Sequence, residues 1–181
     1  MCFVCINRIE AGLIRHTGGG MIAMGEAVPG LTDRLQELAA TFETANVVCE
    51  IAENFAESQW RKLVWNIPFN GLCITEGGID TGVLLAQPDG EDRVRELMLE
   101  VTSAAAGLGI EIENEFVEFQ IRRTYPMKDY RPSSMIDFVK GYPVEVEAIW
   151  GEPLRRANAA GVSTPKMEWL DARIREMVGQ R

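Results

Sequence analysis

His16 is the only histidine among 181 residues. That scarcity removes the usual base of a Ser–His or Cys–His nucleophile pair and leaves a zinc site short of imidazole ligands. Cysteine is sparse as well, with Cys2, Cys5, Cys49 and Cys73 in the whole chain. Cys2 and Cys5 form a C-x-x-C, but no second pair follows and no helical pattern opens at it. It reads as two small apolar residues on a strand edge, with thiols suited to a reducing cytoplasm. No run is long and apolar enough to span a bilayer, and MCFVCINRIEAG lacks the basic leader and cleavage site of a signal peptide. Lysine and arginine total 18 against 27 acidic residues, a formal net charge of −9, so the basic patch of a nucleic-acid binder is missing. A cytoplasmic chain with no metal site, no nucleic acid and no membrane partner is expected. There is no P-loop, G-x-S-x-G or H-E-x-x-H, and no G-x-G-x-x-G between a strand and a helix. GGGMIAMG has glycines but sits between strand-like runs, with no helix to receive a phosphate.

What is present divides into a β segment and a longer helical part. CFVCINRI is rich in β-branched and aromatic residues, and GLIRHT and MIAMGE alternate around Gly18-Gly19-Gly20, which reads as the turn. After Pro29-Gly30 the texture becomes helical. TDRLQELAATFETA has Thr32 or Asp33 as its N-cap, and NVVCEIA is a short strand or link. A helix runs from Asn54 to about Leu72, with Pro68 expected to kink it. TEGGIDTG reads as a loop. EDRVRELMLEVTSAAAGLG is amphipathic and ends at Gly107 or Gly109, and EFVEFQIRRTY is a further helix. SSMIDFVKG reads as a short helix capped by Ser133 or Ser134, Glu145 to Ala160 as a helix ending at Gly161, and Thr164-Pro165 as the cap and first residue of the last helix.

Within RKLVWNIPFN, Lys62, Asn66 and Asn70 recur every fourth residue, so a helix stacks them on one face. Leu63, Val64, Trp65, Ile67 and Phe69 cover the rest of the cylinder, and a polar stripe on so apolar a helix needs a partner or a task. A lysine held beside asparagines suits a general acid for a carbonyl oxygen, and asparagines select a substrate's hydroxyl or carbonyl. Ser133 and Ser134 at a helix start suit a carboxylate. Each feature also has a structural reading: Lys62 snorkels to solvent, the asparagines bridge helices, the serines cap, and Glu145 and Glu147 complement a helix dipole.

Taken together, WRKLVWNIPFNGL followed by SSMIDFVKGYPVEVEAIWGEPLRRANAAGVSTP resembles the C-terminal part of the ketopantoate reductase (2-dehydropantoate 2-reductase) family. That family carries K-x-x-x-N-x-x-x-N on a helix. It then carries an S-S/M-x-x-D-x-x-x-G-x-P-x-E-x-[DE]-A-I-x-G segment and a helix ending in A-x-x-x-G-V-x-T-P. CINRIEAGLIRHTGGGMIAMGE is similar to the closing strands of the family's nucleotide-binding domain, so the resemblance covers nearly the whole chain. It implies a mainly α fold: a helical domain of the 6-phosphogluconate-dehydrogenase C-terminal type over 28–181, after a β remnant of a Rossmann domain over 1–27.

The resemblance further implies NADPH-dependent reduction of ketopantoate to pantoate, on the route to pantothenate and coenzyme A. Lys62 would protonate the ketone oxygen. Asn66 and Asn70 match substrate-holding positions, and Ser134 or Ser133 matches the contact to the substrate carboxylate. Glu145 matches a glutamate that orients the lysine and the cofactor. NADP would be bound mainly by an N-terminal domain not represented here, so the chain alone is expected to be inactive. The serine-to-Glu145 spacing is one residue shorter than the family form, and Asp80 stands nearest to a further substrate asparagine. The open edge of the β segment offers a route to a homodimer. The rival reading is a non-catalytic helical dimerisation or binding module.

Overall fold

The computed structural model describes residues 1–180. They form two compact units that divide between Gln59 and Trp60. In the first, β1 (Cys2–Glu10) and β2 (Leu13–Met24) pair antiparallel, and β3 (Val48–Ile51) adds to β2 in parallel, giving the order β1-β2-β3. The parallel step needs a crossover, and α1 (Asp33–Thr44) supplies it. Thr32 caps α1 by accepting the Leu35 N–H at 3.2 Å, and Leu35 and Ala39, one turn apart, form its buried face.

The hairpin turn is displaced from its expected place. It lies at Ala11–Gly12, where Gly12 has φ +81°, while Gly18-Gly19-Gly20 falls inside β2. There the register slips between Phe3 and Val4 and again between Cys5 and Ile6. Gly19 has φ +73°, and a Cβ on it would overlap the Phe3 carbonyl oxygen. A bulge and a turn both ask glycine for positive φ, so three glycines in a strand-like run satisfy either. The C-x-x-C lies along β1 as expected and opens no helix. Phe3, Val4, Ile6, Ile9, Leu13 and Ile14 are exposed on this hairpin. Phe3 and Val4 are neighbours on opposite faces, the pattern of strands from a sheet covered on both sides.

The helical part is built around α2 (Phe55–Thr75), which opens with Asn54 accepting the Glu57 N–H at 3.2 Å. Val64, Ile67, Phe69, Leu72 and Ile74 of α2 are buried in one core with residues of α4 (Gly90–Gly107), α5 (Asn114–Thr124), α6 (Ser133–Lys140) and α8 (Pro165–Gly179). At the end of the expected loop TEGGIDTG, Thr81–Leu85 forms a short helix, α3, capped by the Asp80 carboxylate on the Val83 N–H at 2.8 Å. Five residues are too few to display a helical period. The helix expected from Glu145 begins instead with a π-helical turn, Glu147–Gly151, that continues into α7 (Glu152–Ala159). No helix of the described residues is long and apolar enough to cross a membrane.

Thr164 precedes Pro165 as expected, yet its hydroxyl does not cap α8. Thr164 Oγ1 is buried and has no hydrogen-bond partner among the described residues. The Glu100 carboxylate, reaching from α4, takes the N–H groups of Lys166 at 3.0 Å and Met167 at 2.8 Å. A carboxylate from another helix thus satisfies two first-turn donors and complements the dipole. Glu100→Ala should lower stability by about 1–2 kcal/mol, the range for a lost cap, read from the urea midpoint. An unchanged midpoint would show that α8 is held by its packing alone.

Candidate functional site

Lys62, Asn66 and Asn70 do lie on successive turns of one helix. Lys62 and Asn66 are half-buried, and Asn70 is 1% exposed. Pro68 sits in this stretch without interrupting α2, although its ring has no N–H to give the Val64 carbonyl. The neighbouring carbonyls take side-chain donors in addition to their place in the helix. Asn70 Nδ2 donates to the Asn66 carbonyl at 3.1 Å, and the Trp150 indole Nε1 donates to the Ile67 carbonyl at 3.1 Å. Trp65 fixes another side of the helix. Its Nε1 donates to Thr124 Oγ1 at 2.9 Å, its ring stacks on Phe69 with centroids 4.8 Å apart, and it meets the edge of Tyr130 at 5.9 Å.

Ser133 and Ser134 begin α6, but neither caps it. Pro132 takes the N-cap position at φ −60°, ψ 147°, and no side chain closes the first turn. Ser133 is exposed and Ser134 is 1% exposed. The Ser134 N–H donates to Asn70 Oδ1 at 3.0 Å, while its buried hydroxyl has no partner among the described residues. Asn66, Asn70 and Ser134 are therefore one hydrogen-bonded set that joins α2 to the start of α6, with Lys62 one turn before Asn66 on the same face.

Glu145 is placed differently. It is exposed, lies just before the helical segment, and contributes its carbonyl to the Ile149 N–H at 3.1 Å. Its carboxylate makes no hydrogen bond or ion pair among the described residues. The engaged carboxylate is Glu147, which pairs with Arg155 at 2.7 Å and Arg175 at 2.5 Å. Hydrogen bonds from Arg155 and then Arg175 hold its carboxyl below the usual glutamate range. Arg175 also donates to Asp171 at 2.8 Å, so this network fastens the π-turn to α8. Asp80 spends its carboxylate on capping α3. Burial, helped by Asp80 and then Glu76, pushes the Cys73 thiol up to about 12, which leaves it inert as a nucleophile.

Sequence reasoning missed Trp150 and Arg175, whereas the reading that the asparagines bridge helices holds for Asn70. Trp150 had one available signal: an indole in an apolar stretch must still place its N–H. Chemically the assembled groups are mostly donors: an ammonium, amides, a helix N-terminus and an unpaired hydroxyl. That set fits a small anion bearing a carbonyl better than it fits a cation.

Comparison with known proteins points the same way. The family described as "Ketopantoate reductase PanE/ApbA C terminal" matches residues 54–178. A 2-dehydropantoate 2-reductase of Nostoc sp. is 37% identical over 185 aligned residues, covering 99% of this chain and 58% of that protein. The crystal structure of 2-dehydropantoate 2-reductase from Geobacter metallireducens superposes with a TM-score of 0.92 at 37% identity, covering 97% of this chain and 59% of the other. The enzyme of the same description from Methylococcus capsulatus gives 0.93 at 32% identity, covering 99% and 62%. The chain thus spans less than two thirds of the length of the relatives it matches.

Proposed function

The chain belongs to the ketopantoate reductase family, and from that premise we propose that it carries the keto-acid half of an NADPH-dependent 2-dehydropantoate 2-reductase. The observation that supports this most is the Ser134–Asn70 hydrogen bond, which joins motifs 64 residues apart into one donor-rich set. The carboxylate of ketopantoate sits at the N-terminus of α6, where the Ser134 hydroxyl is its partner. The Asn66 amide holds the substrate's carbonyl or hydroxyl oxygen. Lys62 gives its ammonium proton to the ketone oxygen as the carbonyl carbon is reduced, forming the alcohol O–H, and regains a proton from solvent.

NADPH supplies the hydride when bound. Gly18-Gly19-Gly20 lies within β2 and opens no helix, so it forms no cradle for a pyrophosphate. Glu145, exposed beside the π-turn, is the residue of this chain assigned to the cofactor side, and the assignment rests on the family motif.

The reading is tested by calorimetry with pantoate, with and without NADPH. Pantoate should bind, and Ser134→Ala should raise its Kd by about tenfold, equivalent to about 1.4 kcal/mol. Absence of pantoate and ketopantoate binding at millimolar concentration would sink the assignment.

A further inference from the structure

Resting on the reductase reading above, with Glu145 on the cofactor side, we propose that Glu147 is a positioning residue: paired to α8, it holds the turn that presents the Glu145 carboxylate to the cofactor. The backbone around Glu145 is closed on both sides. The Val146 N–H donates to the Val144 carbonyl at 2.8 Å, a γ-turn centred on Glu145, and the Glu145 carbonyl takes the Ile149 N–H at 3.1 Å. Val144 and Val146 are half-buried against the core, so Glu145 stands exposed between two apolar anchors. Its backbone is held while its carboxylate has no partner among the described residues.

Glu147 is the first residue of the π-turn that follows. Its oxygens are divided between two helices: Oε2 on Arg155 of α7 at 2.7 Å, and Oε1 on Arg175 of α8 at 2.5 Å. Arg175 is itself tethered, because its Nε donates to the Asp171 carboxylate at 2.8 Å and the Asp171 side chain is only 13% exposed. A lone exposed ion pair contributes little, but a carboxylate shared by two guanidiniums, one of them anchored, forms a network. Gly151 makes room for it. The Gly151 backbone is helical at φ −63°, ψ −51°, so its conformation does not call for glycine. A Cβ there would lie 2.7 Å from Glu147 Oε2 and 2.7 Å from Arg175 Nη2. The space of the missing side chain is taken by the ion pair. Without that pair, the segment carrying Glu145 keeps only its apolar anchors and the Trp150 indole bond.

Exchange and kinetics test the proposal. In the unliganded protein, Glu147→Ala should speed hydrogen exchange at the Ile149 amide by about fivefold, the scale of two exposed ion pairs lost together. An unchanged rate overturns the proposal. In a preparation that reduces ketopantoate, Glu147→Ala should raise the KM for NADPH about tenfold, as for a misplaced contact, and leave the pantoate Kd measured without NADPH unchanged. Charge alone acts the other way, since removing a carboxylate favours a polyanionic cofactor. A general loosening of the fold would weaken pantoate as well, and that result would reduce Glu147 to a structural role. Glu145→Ala should raise the same KM about tenfold, and the double variant about tenfold in total, because one residue acts through the other. A hundredfold rise in the double variant would refute the positioning role. Gly151→Ala separates position from stability. Alanine favours a helix over glycine, so the urea midpoint should hold or rise while the displaced ion pair raises the KM for NADPH. An unchanged KM in any of the three single variants overturns the proposal. If the wild-type preparation reduces no ketopantoate, the reductase reading fails, and the exchange at Ile149 still decides whether Glu147 holds the Glu145 turn.

Discussion

Lys62→Ala should lower kcat for ketopantoate reduction by at least about a hundredfold, the range for a lost general acid. The expectation follows from the place of Lys62, half-buried on α2 one turn from Asn66, among groups that donate hydrogen bonds. A ketone accepts hydride with difficulty unless its oxygen is protonated or strongly polarised as charge develops. Lys62→Arg separates the two roles. Arginine keeps the positive charge but does not release its proton in the working pH range. If Lys62 is the acid, Lys62→Arg should retain much of the ketopantoate affinity and still lose most of kcat. If Lys62 only attracts the anion, Lys62→Arg should keep kcat and Lys62→Ala should chiefly raise KM. The check is steady-state kinetics with NADPH in a preparation that reduces ketopantoate. A near-normal kcat in Lys62→Ala removes this residue from the chemistry.

The parts of the fold that the sequence disclosed are those where one physical signal dominates. α1, α4, α5 and α8 carry apolar residues at helical period over several turns, and β1 is dense in β-branched and aromatic residues. What stayed hidden depends on choices between nearly equivalent local solutions. Gly18-Gly19-Gly20 can make a turn or a bulge, and the pairing of β1 with β2 along their whole length selects the bulge, at Gly20, with a second slip beside the run at Thr17. A Ser-Ser pair before an apolar run suggests a cap, yet Pro132 holds an extended conformation and moves both serines into the helix. Thr164 has the composition of a cap, but Glu100, distant in sequence, reaches the same N–H groups.

The site divides along the same line. The spacing of Lys62, Asn66 and Asn70 gave the shared face, because helical geometry alone fixes it. The family motif joined that face to the serines. Neither spacing nor motif could show that Asn70 faces inward while Ser134 leaves its hydroxyl unmatched, since both depend on how α6 packs against α2. Glu145 and Glu147 look alike in the sequence, and only the positions of Arg155 and Arg175 distinguish the paired carboxylate from the exposed one. The π-turn was equally hidden, because one residue inserted into a helix leaves no compositional trace.

That inserted residue has a consequence that mutation can expose. The π-turn carries Trp150, which is 1% exposed, and its indole donates to the Ile67 carbonyl in the turn between Asn66 and Asn70. Trp150→Ala should destabilise the protein by about 3–5 kcal/mol, the cost of emptying a large aromatic site in a packed core. That is a large share of the roughly 5–15 kcal/mol that holds a typical domain together. Trp150→Phe keeps most of the ring volume and removes the N–H, so its cost should be smaller, about 1–3 kcal/mol, from the lost indole hydrogen bond to the Ile67 carbonyl and the space left by the smaller ring. Urea unfolding of the three proteins measures both effects. A functional effect should accompany the Phe variant. With the indole bond between the π-turn and the Ile67 carbonyl removed, the turn bearing Asn66 is less firmly held, so pantoate affinity should fall while the fold persists. Stability and pantoate affinity both unchanged in Trp150→Phe would mean that the indole serves only as volume. In that case the Asn66 turn would be held by Asn70 and Trp65 alone.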